Sequence, residues 1–263
     1  MSGLKTLRCY LHYARSALSS QRRFNHRAAQ AYELKYAENW MRENGAELFT
    51  RIKTARMRNE WWPGPMDLAV KEFFAGSREE WERFAAQIRH KTCLEIGAGP
   101  CGALAIWWWV KRRIVVDPLV QEYKRIAQQL FKSTWYSDDM ELFAQPAERF
   151  IPELSGRISG VIICRNMLDH SESPMTILKN VAEYAGPGCY LLLWTDLWHL
   201  KGHSKGHRNI TRDARAFEKK IMESGFDILH AFDSVRPDGS TIEYGCRARK
   251  RIVADRSRDE LSP

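Results

Sequence analysis

The chain has 263 residues, 44% of them apolar, enough for one catalytic domain with a sizeable core plus an extension. No apolar run reaches the roughly 18 residues of a spanning helix, so none is expected, and no secretory apolar segment follows the start. The formal charge of +9 is concentrated at the ends: the first 32 residues hold six Lys or Arg and no acid before Glu33, and Arg247 to Arg258 is basic again. Such fields attract phosphates, anionic lipids or nucleic acid, or mark a generically basic soluble protein.

In chain order, Leu4, Leu7, Leu11, Ala14 and Leu18 form one apolar helix face with Lys5, Arg8, Arg15, Arg22 and Arg23 around it. Three readings stay open: a helix of residues 4–23 lying on an anionic membrane, a mitochondrial-type presequence, or a helix packed over the catalytic domain. Residues 26–45 read as a helix. Asn59 to Pro65 is a stiff aromatic break whose Trp61 and Trp62 belong to a lid or to domain-junction packing. Ser77 opens another helix, with Glu80 three residues on as a capping box. Residues 1–90 are thus a helical extension or lid, residues 91–252 a catalytic domain, and residues 253–263 a charged tail.

Strands are expected near 92–97, 112–117, 141–145, 159–165, 189–195, 226–233 and 241–248, with helices between. Arg236-Pro237-Asp238-Gly239 turns the last two into a hairpin. The helix after the first strand carries Trp107, Trp108 and Trp109, which cannot share one face and read as packing. The six cysteines (9, 93, 101, 164, 189, 246) contain no C-x-x-C pair. They read as reduced thiols in a reducing, cytoplasmic compartment, neither zinc ligands nor a disulfide frame.

The densest information lies in residues 93–117. A buried strand (Cys93, Leu94, Ile96) breaks at Gly97, Gly99 and Gly102, a helix follows, and a second strand ends at Asp117, twenty residues after Gly97. This is a strand, glycine loop, helix and strand, with an acid placed for a ribose diol. Glycine lets backbone turn sharply and approach a ligand closely. Dinucleotides and S-adenosylmethionine (SAM) both fit such a unit. Glu95 two residues before Gly97, the turn Arg165-Asn166-Met167-Leu168-Asp169-His170 and the closing hairpin favour SAM.

On these residues the chain, over roughly 90–250, resembles the class I SAM-dependent methyltransferases, in particular their small-molecule group. The acidic-x-G-x-G-x-x-G motif is matched by Glu95, Gly97, Gly99 and Gly102, and the N-x-L-x-H turn by Asn166, Leu168 and His170. The resemblance implies an α/β fold: a Rossmann-like seven-stranded sheet, mostly parallel with a C-terminal antiparallel hairpin, helices on both faces, plus the N-terminal helical extension. It implies that Gly97, Ala98 and Gly99 pack on the methionine part of the cofactor. Glu95 orients the loop and meets the cofactor's amino group, and Asp117 takes the ribose. Pro118 and Leu119 follow, with Leu119 against adenine, and Arg165 and Asn166 close the cleft. Pro146 departs from the aspartate the family often places after the third strand, leaving Ala147 or Glu148 to read adenine.

The activity implied is methyl transfer to a small-molecule or glycan/lipid-precursor acceptor, with no metal. For a hydroxyl acceptor a base must take the proton, and histidine suits this. His170 and Asp169 are candidates, or His170 only shapes its loop. His199, His203 and His207 form a second group, with His203 as candidate base. On a helix they would share one face as metal ligands do, but Gly202 and Gly206 argue against that helix. Trp194 and Trp198 flank the same mouth. The alternatives are a protein or RNA methyltransferase, a non-catalytic SAM-fold partner subunit and, remotely, a NAD-dependent oxidoreductase. The basic ends suggest RNA. No Asn/Asp-Pro-Pro-Tyr/Phe turn and no Pro-Cys nucleophile accompany them, so nucleic acid is not favoured. Oligomeric state is not legible.

Overall fold

The structure is a computed structural model and describes residues 26–58, 73–199, 207–237 and 239–252. The segment 4–23, Trp61, Trp62, His203, Asp238 and the tail lie outside the described residues.

Seven strands form one sheet: β1 (Thr92–Ile96), β2 (Arg112–Val116), β3 (Glu141–Phe143), β4 (Val161–Arg165), β5 (Tyr190–His199), β6 (Phe226–Val235) and β7 (Thr241–Lys250). Their order is β3-β2-β1-β4-β5-β7-β6. β1 to β5 pair in parallel, and β7 runs antiparallel between β5 and β6. The parallel strands are apolar runs because both faces are covered. Alternate residues feed two cores: Val115, Ile163 and Leu192 point to one face, Ile114, Val116, Ile162 and Leu193 to the other. The chain reverses its direction of travel across the sheet between β1 and β4, where α/β folds open a crevice at the carboxyl ends of their strands.

The first face carries α1 (His26–Arg58), α2 (Arg78–Ile88), the short α3 (Ala103–Ile106) and α4 (Val120–Phe131). The second carries α5 (Pro174–Tyr184) and α6 (Ala214–Glu223). The expected helix 26–45 continues to Arg58, straight through Asn44-Gly45. Its buried residues Ala37, Met41, Leu48, Ile52 and Ala55 recur at helical spacing, and the first four join the core on the sheet's first face. Gly45 sits where a Cβ would lie 2.4 Å from Phe131 Cζ, so this glycine serves close packing and does not end the helix.

Two local expectations are corrected. Ser77 caps α2, accepting from the Glu80 amide at 3.2 Å, but Glu80 does not close the box: its carboxylate pairs with Arg247 at 2.9 Å. The three tryptophans follow α3, which ends at Ile106. Trp107 and Trp109 stack at 5.4 Å, and both meet Trp81 of α2, so they are packing as expected. The cysteines 93, 164, 189 and 246 are buried free thiols. In the closing hairpin the Gly239 amide donates to the Arg236 carbonyl at 2.7 Å. Among the described residues no helix is long and apolar enough to cross a membrane.

Candidate active site

The glycine loop leaves β1 at Gly97, which has φ +67°; a Cβ there would lie 2.5 Å from Met167 Cβ. Gly99 also has positive φ, and nothing lies within 4 Å of where its Cβ would be, so the loop faces open space there. Glu95 lies behind the loop, buried. Its two oxygens accept from the amides of Ala103 and Leu104, each at 2.8 Å, anchoring the start of α3. Gly102 makes room for this, since a Cβ there would come within 2.6 Å of Glu95 Oε2. Burial pushes the Glu95 carboxyl up to about 7, against the two amides and Arg165, which favour its charged form. Of the two roles expected for Glu95, loop orientation is the one its hydrogen bonds carry.

Asp117 ends β2 and is buried. Its Oδ2 accepts from Gly99 N at 3.0 Å and its Oδ1 from Leu119 N at 2.7 Å. Each oxygen keeps a second lone pair, so the carboxylate fixes the loop and can still accept from a diol. Burial raises its pKa, opposed by those two amides. Two residues that no local pattern marked steady the loop from outside: Trp135 donates to the Pro100 carbonyl at 2.8 Å, and the buried Tyr136 hydroxyl donates to that of Gly99.

At the expected adenine edge, Pro118 follows Asp117, and Leu119 and Ala147 are buried. Glu148 turns away and accepts from the Glu172 amide at 2.9 Å. Asn180 of α5 donates to the carbonyls of Ala147 and Glu148 at 2.9 and 3.1 Å. Arg165 lies over the Trp194 ring at 5.7 Å. Asn166 adopts φ +48°, which Asn tolerates, and its amide donates to the Trp194 carbonyl at 2.7 Å. Ala98 is buried beside the loop.

Beyond this cleft, at the carboxyl ends of β4 and β5, the chain assembles a histidine–aspartate cluster. Asp169 is its fully buried centre. His207 Nδ1 lies 2.5 Å from Asp169 Oδ2, His170 Nε2 3.7 Å and His199 Nε2 3.8 Å from the same oxygen. Thr195 donates to Asp169 Oδ1 at 3.3 Å, and Asp196 Oδ2 faces His199 Nε2 at 3.5 Å.

β5 runs four residues past its expected end, and its pairing with β7 slips between Asp196 and Trp198. In a regular strand residues three apart face opposite ways; the bulge inserts one residue and brings Asp196 and His199 to one side. The returning segment is stitched back. Arg208 N donates to the Asp169 carbonyl at 2.7 Å, His199 N to Asn209 Oδ1 at 2.8 Å, and Ile210 N to the Leu197 carbonyl at 2.9 Å. These contacts set His207 against Asp169.

The electrostatics follow from this packing. Burial alone would raise the Asp169 carboxyl, but the surrounding imidazoles hold it well below the carboxylate range. Burial lowers His207, yet its hydrogen bond to Asp169 wins and the net shift is upward. His170 is shifted down, by burial first, with Asp169 opposing. Asp196 is shifted up by burial and by Asp169.

Glu33 of α1 reaches the same place: its Oε1 is 3.5 Å from His170 Nδ1, and burial, then Asp117 and Asp169, raise its carboxyl against the pull of His207. The extension thus contributes a side chain between the glycine-loop cleft and the cluster. Of the three expected catalytic residues, Asp169 and His170 are brought together and His203 lies outside the described residues. Glu33, Asp196 and the partnership of His199 with Asp169 were missed.

No family model matches the chain, and no curated protein does. Solved structures do. Over 66% of this chain and 80% of its own, the (4+2)-cyclase SpnF is similar, at 13% identity and a TM-score of 0.51. A protein provisionally named a methyltransferase, BH2331 of Bacillus halodurans C-125, is similar over 66% and 98% at 15% identity and a TM-score of 0.50. The N-methyltransferase NodS of Bradyrhizobium japonicum WM9, solved with S-adenosyl-l-homocysteine, is similar over 66% and 88% at 17% identity and a TM-score of 0.46. The observed strand order and the likenesses to SpnF and BH2331 give the chain the seven-stranded Rossmann-like fold that the resemblance implied.

Proposed function

We propose that the chain is an enzyme that binds SAM at the Gly97–Asp117 cleft and methylates a hydroxyl of a small-molecule or glycan/lipid-precursor acceptor. The observation that carries this reading is the juxtaposition of two sites at one end of the sheet. A glycine loop pinned to a buried Asp117 faces open space, and a histidine cluster lies at the neighbouring strand ends. The fold alone does not fix the reaction; the site residues support it. Bound SAM supplies a methyl group made electrophilic by a sulfonium.

The protein's part is to position, to exclude water and to take a proton. Asp117 holds the ribose diol with its remaining lone pairs, and the backbone of Gly97, Ala98 and Gly99 lines the methionine end. Leu119 and Ala147 offer an apolar wall to adenine. Glu33 of α1 covers the passage between cleft and cluster. His170, between Glu33 and Asp169, is the residue proposed to accept the hydroxyl proton. Its removal in His170→Ala is expected to cut turnover by about 100-fold while leaving SAM affinity unchanged. Unchanged turnover would reject it as the base. Peripheral attachment through residues 4–23 rests on the amphipathic, basic sequence pattern of that segment. Equal co-sedimentation with anionic vesicles after removal of residues 1–24 would reject it.

The acceptor class is tested with methyl-labelled SAM and an extract of the source cells. Label in an extractable small molecule or lipid-linked glycan, stable to alkali as an ether is, is the expected result. Label confined to precipitated RNA or protein, or released by alkali as from an ester, would overturn the acceptor reading.

A further inference from the structure

The cluster around Asp169 holds more donors than one proton transfer needs. Asp169, Asp196, His199 and His207 each present a ligand atom, all within 4.8 Å of one another. Their side chains are 0%, 3%, 13% and 20% exposed, in that order, so water does little to separate the two carboxylates. His199 shows the mismatch most clearly. Its Nδ1 lies 3.3 Å from the Thr241 hydroxyl, while its Nε2 is buried with no hydrogen-bond partner among the described residues. If Nδ1 carries the proton, the Nε2 lone pair faces Asp196 Oδ2 at 3.5 Å and Asp169 Oδ2 at 3.8 Å. If Nε2 carries it, both oxygens lie outside the roughly 2.7–3.2 Å of a well-formed N–H···O bond. In either tautomer Nε2 faces two carboxylates and lies within about 3.2 Å of neither.

We propose that these four residues bind a divalent first-row transition-metal ion. Bonds of about 2.0–2.2 Å put neighbouring tetrahedral ligand atoms about 3.3–3.6 Å apart, which matches the 3.5 Å from His199 to Asp196 and is slightly less than the 3.8 Å to Asp169. The close His207–Asp169 pair has to part by about 1 Å to share an ion. The donors are two imidazoles and two carboxylates, a set suited to zinc, manganese or iron(II); magnesium and calcium prefer oxygen alone.

Other charges facing the cluster are His170 and Glu33 from one side, and Arg236 from β6's end, 3.3 Å from Asp196 and shared with Glu243. Arg236 is half exposed and pairs with the outer carboxylate of the cluster, Asp196. The ligand set differs from the helical triplet of His199, His203 and His207 suggested by spacing, because His199 lies on a bulged strand and meets Asp196. Metal binding stands independently of the methyl-transfer reading. Only its use rests on that reading: a hydroxyl bound to the ion would be more acidic and aligned at the mouth of the cleft.

The test is titration of chelator-treated full-length protein with Co²⁺, followed by calorimetry and visible absorption. SAM is titrated into the same samples, so failure of cofactor binding is read separately. One equivalent of Co²⁺ with four- or five-coordinate bands, displaced by Zn²⁺ but not by Mg²⁺ or Ca²⁺, is expected. His199→Ala and Asp196→Ala should each weaken it by more than the roughly tenfold that losing even an outer partner costs, and exposed His90→Ala should not. No stoichiometric binding by the unaltered protein, or equal binding in His199→Ala, overturns the proposal. Should the variants fail to fold, X-ray absorption of the Zn²⁺-loaded protein decides. Two imidazoles with oxygen ligands support the site; sulfur or oxygen-only ligation rejects it.

Discussion

Gly97 meets two demands that no other residue type meets together: a left-handed backbone and 2.5 Å of clearance to Met167 Cβ. Met167 Cβ is rooted in backbone and cannot swing aside. Gly97→Ala is therefore expected to cost about 1–3 kcal/mol of stability in urea unfolding; a change within about 0.5 kcal/mol would contradict the loop geometry. Glu95 carries a pH dependence. Its folded pKa is raised from 4.5 to about 7, so between those values the folded state binds the proton more tightly than the unfolded chain. Its contribution to stability is fully present below about pH 4.5, falls as pH rises to about 7 and is level above, by up to roughly 3 kcal/mol. Glu95→Gln should flatten that part of the stability–pH curve relative to the unaltered protein. Parallel curves would place the shift elsewhere. The motif residues were legible because their spacing is local. Tyr136 and Trp135, which hold the same loop from thirty-odd positions away, left no local signal.

Among the elements, the strands were the most legible, since short apolar runs bounded by Gly, Pro and charged residues have few other ways to be buried. The failures came where tertiary contact overrides local preference. The expected helix ends at Gly45, yet α1 passes through it and the glycine makes room for Phe131, held there by the rings of Phe49 and Trp135. Gly45→Ala should thus lower the melting temperature, with overpacking of about 1–3 kcal/mol exceeding the roughly 1 kcal/mol gained in helix propensity. A raised melting temperature would mean Phe131 is free to move. The β5 bulge is the second case. Period-two alternation assigns Asp196 and His199 to opposite faces, and only the slipped pairing with β7 joins them. Sequence could propose that histidines near residue 200 matter, but not which acid they meet.

At the scale of the whole molecule, the described part of the extension shares one core with one face of the sheet, and α1 delivers Glu33 to the passage between Asp117 and His170. The fold was readable from strand count and order of elements. The meeting of β1, β2, β4, β5 and α1 at one end required the structure. The proposed activity depends on that end being a SAM site. The most direct measurement is calorimetric titration of SAM and S-adenosylhomocysteine into the protein and into Asp117→Ala, with NAD as control. Binding of both ligands in the range of about micromolar, none of NAD, and a loss of about 10- to 100-fold in Asp117→Ala, as expected for lost charged hydrogen bonds, is the predicted result. No binding by the unaltered protein, or equal affinity in Asp117→Ala, would contradict the account.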